Sequence, residues 1–435
     1  MDMIEIIAKK RDGHELTGEQ IRYFVRGFTD GSIPDYQASA LLMAIYLNGL
    51  TDEETYCLSD EMLHSGELMD LSGIEGQKVD KHSTGGVGDK ITLITGPIAA
   101  ACGVKVAKMS GRGLAYTGGT IDKLEAIPGF RTSLTTEEFF KQVNEIGLAV
   151  VSQTLDVAPA DKKIYALRDV TATVGNRSLI ASSIMSKKLA SGADAIVLDV
   201  KCGSGALMKT EEEAADLAEI MMKIGNHAGK RMTAVISDMN QPLGNAVGNT
   251  LEVIEAIEVL RGRGPADITQ LATELAAHMV HAGGVEPTIE SARERARNAL
   301  ADGSALEKMR EMIRYQGGDE RVLEDYSIMP GSTLSVDVVA PREGYIVAIN
   351  TQAVGQASQH AGAGRLSKTD VLDMGAGIHV HKKIGDHVSA GDVLMTIVGN
   401  DAAKLQAGLK YGLSAYVIGD ASPWSPSLIH RIMTK

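Results

Sequence analysis

A pair of glycine-rich runs within residues 79–125, each following a short apolar stretch, sets the tightest limit on how this chain can fold. The first reads Lys81-His82-Ser83-Thr84-Gly85-Gly86-Val87-Gly88-Asp89-Lys90. The second reads Lys108-Met109-Ser110-Gly111-Arg112-Gly113-Leu114-Ala115-Tyr116-Thr117-Gly118-Gly119-Thr120. Glycine lets a backbone approach a ligand closely and turn its N–H groups toward it. Here the glycines are mixed with Ser, Thr, Lys and Arg, and a helix-like run over 91–101 follows the first of them. That composition suits an anion held at a helix N-terminus. One such run is also what an ordinary glycine-rich connection looks like. Two runs separated by one helix and one strand argue for a built anion site in an α/β layer.

The rest of the chain supplies such a layer. Residues 3–63 have helical periodicity. Thr17 and Gln20 form a capping box ahead of Ile21, Phe24, Val25 and Phe28. Pro34 can open the next helix, with Ala38, Leu41, Leu42 and Ile45 on one face, and Thr51 and Glu54 form a second box ahead of Leu58, Met62 and Leu63. After Ser65 the texture changes. Strands expected at 104–108, 148–151, 195–200 and 232–237 alternate with helices at 91–101, 136–146 and 210–228, the rhythm of a helix-covered α/β sheet. Two helical stretches, 160–173 and 179–191, interrupt that rhythm. They are expected to pack with the N-terminal helices, so that the chain crosses between units and leaves a cleft. Helices dominate 250–316, and strands at 338–340, 344–349, 377–381 and 393–398 make the remainder β-rich.

The fold class is therefore α/β: a small all-helical domain, a large α/β domain with a central mixed sheet, and a β-rich C-terminal subdomain. The expected boundaries are 1–66, joined by 160–192, for the helical domain. The α/β phosphate-binding domain takes 67–159 and 193–335, and the C-terminal subdomain takes 336–435. Residues 384–394 resemble the turn of a biotinyl/lipoyl-type barrel. That barrel's modified lysine is missing, since 356–361 read Gln-Ala-Ser-Gln-His-Ala, so a carrier role is not expected.

At 435 residues the chain is long enough for two or three domains with real cores. A net charge of −13 with no lysine/arginine cluster argues against nucleic acid as a partner. A small anionic ligand remains compatible, because local lysines and backbone dipoles govern a pocket. Cys57, Cys102 and Cys202 are far apart and fit no zinc spacing or disulfide framework, which points to a reducing cytoplasm. The N-terminus carries acids inside its apolar run, unlike a signal peptide, and no apolar stretch is long enough to span a bilayer.

Four residues outside the glycine runs could carry chemistry. Ser183 and Lys187 are four apart, and Tyr165 and Arg168 are three apart, so each pair shares a helix face. Together they would bring two cations and a hydroxyl toward one cleft. Lys162 and Lys188 read as solvated surface charge.

At this point the sequence resembles the thymidine and pyrimidine-nucleoside phosphorylases. The run 109–114 followed by 117–125 is similar to their signature, and 81–89 to their phosphate loop. Ala158-Pro159-Ala160-Asp161-Lys162-Lys163, Arg168-Asp169-Val170-Thr171, Ala181-Ser182-Ser183-Ile184-Met185-Ser186-Lys187-Lys188 and Ser237-Asp238-Met239-Asn240-Gln241-Pro242 extend the likeness, which covers the whole chain.

The resemblance implies reversible phosphorolysis of uridine, thymidine or deoxyuridine to free base and α-pentose 1-phosphate. It also implies a homodimer joined through the helical domain and a cleft that closes. By similarity, Lys81, His82, Ser83, Thr92, Lys108, Met109, Ser110 and Thr120 would hold phosphate. Leu114, Tyr165, Arg168, Ser183 and Lys187 would hold the nucleoside. His82, Arg168 and Lys187 would be catalytic, with His82 giving a proton or hydrogen bond to a base carbonyl. A potassium ion is implied at Gly88, Lys90, Leu243, Ala246 and Glu255. Four positions depart from the family pattern: Tyr116, the Asn176-Arg177-Ser178 stretch, Leu207 and Lys90. The first three are expected near the nucleoside. A thymidine phosphorylase strict for 2′-deoxy sugars is the nearest rival reading. A phosphoribosyltransferase of similar fold is the next.

Overall fold

The computed structural model describes every residue except 114, 115, 117, 154–156, 368, 424–426 and 435. Four helices open the chain: α1 (Met3–Arg11), α2 (Gly18–Asp30), α3 (Asp35–Asn48) and α4 (Asp52–Leu63). Both predicted capping boxes form, at Thr17/Gln20 and Thr51/Glu54. Each satisfies backbone donors that the first helical turn leaves without a partner. Ile21, Phe24, Val25 and Phe28 of α2 are buried, and the helix stops at Gly31, whose φ of 90° favours glycine. The buried Lys10–Glu54 pair, 2.8 Å apart, ties α1 to α4.

The chain then alternates through β1 (Val79–Ser83), α5 (Ile91–Ala101), β2 (Val106–Ser110), α6 (Thr120–Leu124), α7 (Thr136–Ile146) and β3 (Leu148–Ser152). It continues through α8 (Pro159–Val170), α9 (Arg177–Ala190), β4 (Ala195–Cys202), α10 (Glu211–His227), β5 (Arg231–Asp238) and the short β6 (Ala246–Val247). Four helices follow: α11 (Asn249–Leu260), α12 (Ala266–Ala282), α13 (Ile289–Ala301) and α14 (Ser304–Tyr315). The remainder holds β7 (Leu334–Val339), β8 (Gly344–Ile349), α15 (Thr351–Ser358), β9 (Gly377–Val380), β10 (His387–Val388), β11 (Val393–Gly399), α16 (Ala402–Gly412), β12 (Tyr416–Gly419) and β13 (Ile429–Thr434).

The central sheet runs β1-β4-β5-β13, parallel except for β13, so it is mixed as expected. The parallel pair β2-β3 continues it through one bridge between Lys78 and Lys105. All eight residues of β4 are buried, because helices cover both faces of the sheet. Val197 packs with α5 and α12, whereas Ile196, Leu198 and Val200 pack with α9 and α10. Ala160, Ile164 and Leu179 join the core of the N-terminal helices, as predicted for the interrupting segments.

The expected boundary at 336 divides the chain less cleanly than the sequence suggests. The strand β13 leaves the C-terminal unit and pairs with β5 of the central sheet. In exchange β6 pairs with β9 in the C-terminal sheet. Such pairings join distant segments and leave no local period. The residues 356–358 lie in the helix α15 rather than at a hairpin tip.

Candidate functional site

Because β1 and β2 run parallel, both glycine runs leave the same edge of the sheet, the carboxyl edge where α/β proteins hold ligands. A cleft of about 420 Å³ opens there, lined by both runs and by Lys187 and Lys188 of α9. Of the expected site residues, His82, Ser83, Thr92, Lys108, Met109, Ser110, Thr120 and Lys187 line it. Lys81, Tyr165, Arg168 and Ser183 lie outside the lining, and Leu114 falls outside the described residues. A larger groove of about 580 Å³ beside α12 and α13 contains none of the expected residues.

The first run is shaped around Ser83. Its hydroxyl donates to Asp89 Oδ2 at 2.5 Å and accepts from the Gly85 N–H at 3.2 Å. Gly85 has φ of 89° with open space where a Cβ would stand, so no atom of the chain covers the backbone on that side. In the second run, a Cβ on Gly119 would lie 2.0 Å from the Gly113 nitrogen, so glycine alone lets these limbs touch. Asp122 fastens the turn, accepting from the Gly113 N–H at 2.6 Å and from Arg112 at 3.1 Å. Arg365, from the C-terminal unit, reaches the same carboxylate at 2.8 Å.

The charges beneath the cleft form one network. Asp80, buried near the start of β1, takes Lys108 on one oxygen at 3.0 Å and Lys188 on the other at 2.9 Å. Burial alone would raise the Asp80 carboxyl, but the two ammonium groups outweigh it and hold the group well below the usual carboxylate range. Lys108 is pulled down to about 8, chiefly by burial and against the attraction of Asp80. Burial likewise lowers Lys81, which stands 3.7 Å from Asp199. Burial works against the charge of Asp89 as well, but Lys81, Lys201 and Lys123 overcome it and keep that carboxylate ionised.

His82 is expected to give either a proton or a hydrogen bond. Neutral-range titration would suit a proton donor, but burial and the nearby Lys188 and Lys108 push its imidazole well below the ordinary histidine value. Its Nε2 is covered and has no partner among the described residues. The ring is therefore a neutral hydrogen-bonding group rather than an imidazolium.

On the helical side, the predicted pairs meet. Lys187 donates to the Ser183 hydroxyl at 3.0 Å, and the Arg168 guanidinium stands over the Tyr165 ring at 5.7 Å. Lys187 also pairs with Asp161, whose second oxygen is buried without a partner among the described residues. Arg168 is buried and donates to the carbonyls of Thr173, Val174 and Leu179 at 3.3, 2.8 and 3.1 Å. Three of its five N–H groups thus brace the α8–α9 connection, and the other two have no acceptor among the described residues.

Several residues escaped the sequence reading. Lys188 is buried and ion-paired rather than solvated, because its charge partner Asp80 lies 108 residues away. Asp80, Asp89 and Asp161 were visible only as neighbours of motif residues. The three departures expected near the nucleoside do not line the cleft. Tyr116 packs on Gly355 of the C-terminal unit, Arg177 pairs with Asp216 at 3.0 Å, and Leu207 is exposed.

The set implied for potassium does assemble, but around a side chain. Lys90 Nζ donates to the carbonyls of Leu243 at 3.0 Å and Ala246 at 2.8 Å, and to Glu255. A free cation does not fit a donor set already filled by an ammonium group.

Three family models match the chain: the glycosyl transferase family helical bundle domain over 4–66, its a/b domain over 75–306, and the pyrimidine nucleoside phosphorylase C-terminal domain over 345–419. The pyrimidine-nucleoside phosphorylase of Bacillus subtilis is 51% identical over 435 residues, covering 100% of both chains. That of Staphylococcus aureus is 52% identical with the same coverage. Among solved structures, an anthranilate phosphoribosyltransferase from Thermus thermophilus aligns with a TM-score of 0.57 at 20% identity, over 72% of this chain and 99% of that one. That last likeness speaks to the fold alone. Three matched domains in order, and relatives aligned end to end, place the chain in the pyrimidine-nucleoside phosphorylase family of glycosyl transferases.

Proposed function

We propose that this chain catalyses the reversible phosphorolysis of pyrimidine nucleosides, giving free base and α-D-ribose or 2-deoxyribose 1-phosphate. The observation that carries the reading is the single cleft in which the two glycine runs face Lys187 and Lys188. Phosphate has to attack the anomeric carbon from the side opposite the base. Positive charge then grows on the sugar and negative charge on the departing pyrimidine, so donors belong at both ends of the reaction.

Ser83, Thr92, Lys108, Ser110 and Thr120 hold phosphate in this reading. The open backbone at Gly85 and the cationic surplus around Asp80 support that role. Each charge-assisted bond contributes about 1.5–3 kcal/mol. Lys187, steadied by Ser183 and Asp161, meets the charge that develops on the base, and the two spare N–H groups of Arg168 hold its edge. His82 donates a hydrogen bond from its neutral ring to a base carbonyl. Its depressed titration supports donation without full proton transfer. Closure of the helical unit on the sheet supplies orientation.

The chain works as a homodimer joined through the helical unit. Ile4, Tyr36, Met43, Tyr46 and Leu47 of α1 and α3 support this, because all five present apolar surface to solvent. No helix of the described residues is long and apolar enough to cross a membrane. The separated, free cysteines support a cytoplasmic setting.

The test is base release from uridine, thymidine and 2′-deoxyuridine, followed by ultraviolet absorbance with and without phosphate. Phosphate-dependent release from all three is expected. Release confined to the deoxy substrates would narrow the activity to a thymidine phosphorylase. Turnover only with a base and phosphoribosyl diphosphate would overturn the reading.

A further inference from the structure

Lys90 sits immediately before α5, at the end of the first glycine run, and its side chain is wholly buried. An ammonium group has three N–H donors and no acceptor. Here the three acceptors are the Leu243 carbonyl, the Ala246 carbonyl and one oxygen of Glu255. The other Glu255 oxygen accepts from the Asn245 N–H at 2.8 Å. The backbone around it is tightly packed. A Cβ on Gly88 would stand 2.6 Å from the Leu243 carbonyl and 3.2 Å from that of Ala246. A Cβ on Gly244 would stand 2.2 Å from Glu255 Oε2 and 3.1 Å from Lys90 Nζ. All three donors of the ammonium are thus committed to these oxygens.

These oxygens belong to a junction. Residues 242–246 lead from β5 into β6, the strand that enters the C-terminal sheet. From the C-terminal side, Lys383 donates to the carbonyls of Pro242 and Gly244 and to Asp267. The loop is therefore gripped by two tethered ammonium groups, one rooted beside the phosphate run and one in the C-terminal unit.

We propose that the Lys90 ammonium is a built-in monovalent cation, which joins the phosphate run to the β5–β6 junction and makes this chain independent of any free potassium ion. An ammonium group and a potassium ion are alike in charge and similar in size, so the same oxygens can serve either. Tethering removes the need to capture the ion from solution, and with it the dependence of stability on ion concentration that a bound ligand brings. The proposal does not depend on which nucleoside the cleft takes.

The first experiment uses the unmodified chain. Melting temperature and kcat/KM are measured in potassium chloride and in choline chloride at equal ionic strength, and bound potassium is measured by elemental analysis after dialysis. Unchanged melting, unchanged kinetics and no stoichiometric potassium are expected. A lower melting temperature in choline, or one potassium per chain, overturns the proposal. The second uses Lys90→Ser, which opens the cage. Its melting temperature should fall in choline and recover when potassium or ammonium replaces it. A variant that melts like the parent in choline, or one that neither ion restores, also overturns it. Melting and metal content read the site even if the nucleoside assay fails.

Discussion

Replacing Asp80 by asparagine tests the charge network under the cleft most directly. The side chain keeps its shape and loses its charge. Two buried ammonium groups, Lys108 at 3.0 Å and Lys188 at 2.9 Å, then lose their shared counter-ion. Breaking a buried ion pair by removing one partner costs about 3–5 kcal/mol. Lys108 also changes its protonation. With Asp80 present it titrates at about 8, so roughly nine-tenths of it is charged at pH 7. Without Asp80 it falls further, and the cleft loses a cation. One missing charge-assisted bond to phosphate is worth about 1.5–3 kcal/mol, or roughly 10- to 150-fold in phosphate affinity.

Initial rates against phosphate at pH 7, with thermal melts in parallel, measure both quantities. The sign with pH follows from linkage. Lys108 has a folded value below the unfolded 10.5, so the unfolded chain binds more protons between about 8 and that value. Its contribution to stability therefore improves as pH rises through this window, while phosphate binding weakens as the ammonium is lost. Asp80→Asn should shift both changes to lower pH. A variant with lowered stability but unchanged phosphate KM would refute the link between network and phosphate, and unchanged melting would refute the network itself.

Three further outcomes are expected. His82→Gln should lower kcat/KM for nucleoside, and the parent enzyme should show no rate change as pH falls through 6.5, since the folded imidazole is already neutral there; a titration near 6.5 that disappears in the variant would contradict this. Lys187→Ala should lose both turnover and stability, because it strands the buried Asp161 carboxylate; adding Asp161→Asn should restore the melting temperature without the turnover, and joint recovery would show Lys187 to be structural. Leu47→Glu, at a side chain 73% exposed, should leave the melting temperature of the monomer intact while size-exclusion with light scattering reports loss of the dimer; a persistent dimer would place the interface elsewhere.

What the sequence made legible was local. The boxes at Thr17 and Thr51 are read within four residues, and the pairs Ser183/Lys187 and Tyr165/Arg168 follow from helical spacing. The β4 strand was recognisable because burial on both faces leaves it almost continuously apolar. The glycine runs were legible because their composition answers to backbone geometry, and both line one cleft. What stayed hidden was long-range. Lys188 reads like any helix-end lysine until β1 brings Asp80 against it. Lys90 reads as an oddity in a cation set until its ammonium is found in the middle of that set, 153 residues from Leu243. Arg168 lies outside the cleft lining, and two of the carbonyls that hold it, those of Thr173 and Val174, belong to a turn with no motif of its own.

The return of β13 to the central sheet has a consequence for synthesis. Asp238 at the end of β5 and His430 beside it in β13 are 192 residues apart. At a translation rate of about 5–20 residues per second, that interval lasts on the order of ten to forty seconds. Throughout it, β1, β4 and β5 are available to pair while the outer edge of β5 has no partner, and an unpaired strand edge is a template for other chains. The nascent protein thus carries an edge open to misassembly on the ribosome, while the side of the same sheet that bears the first glycine run has long been made.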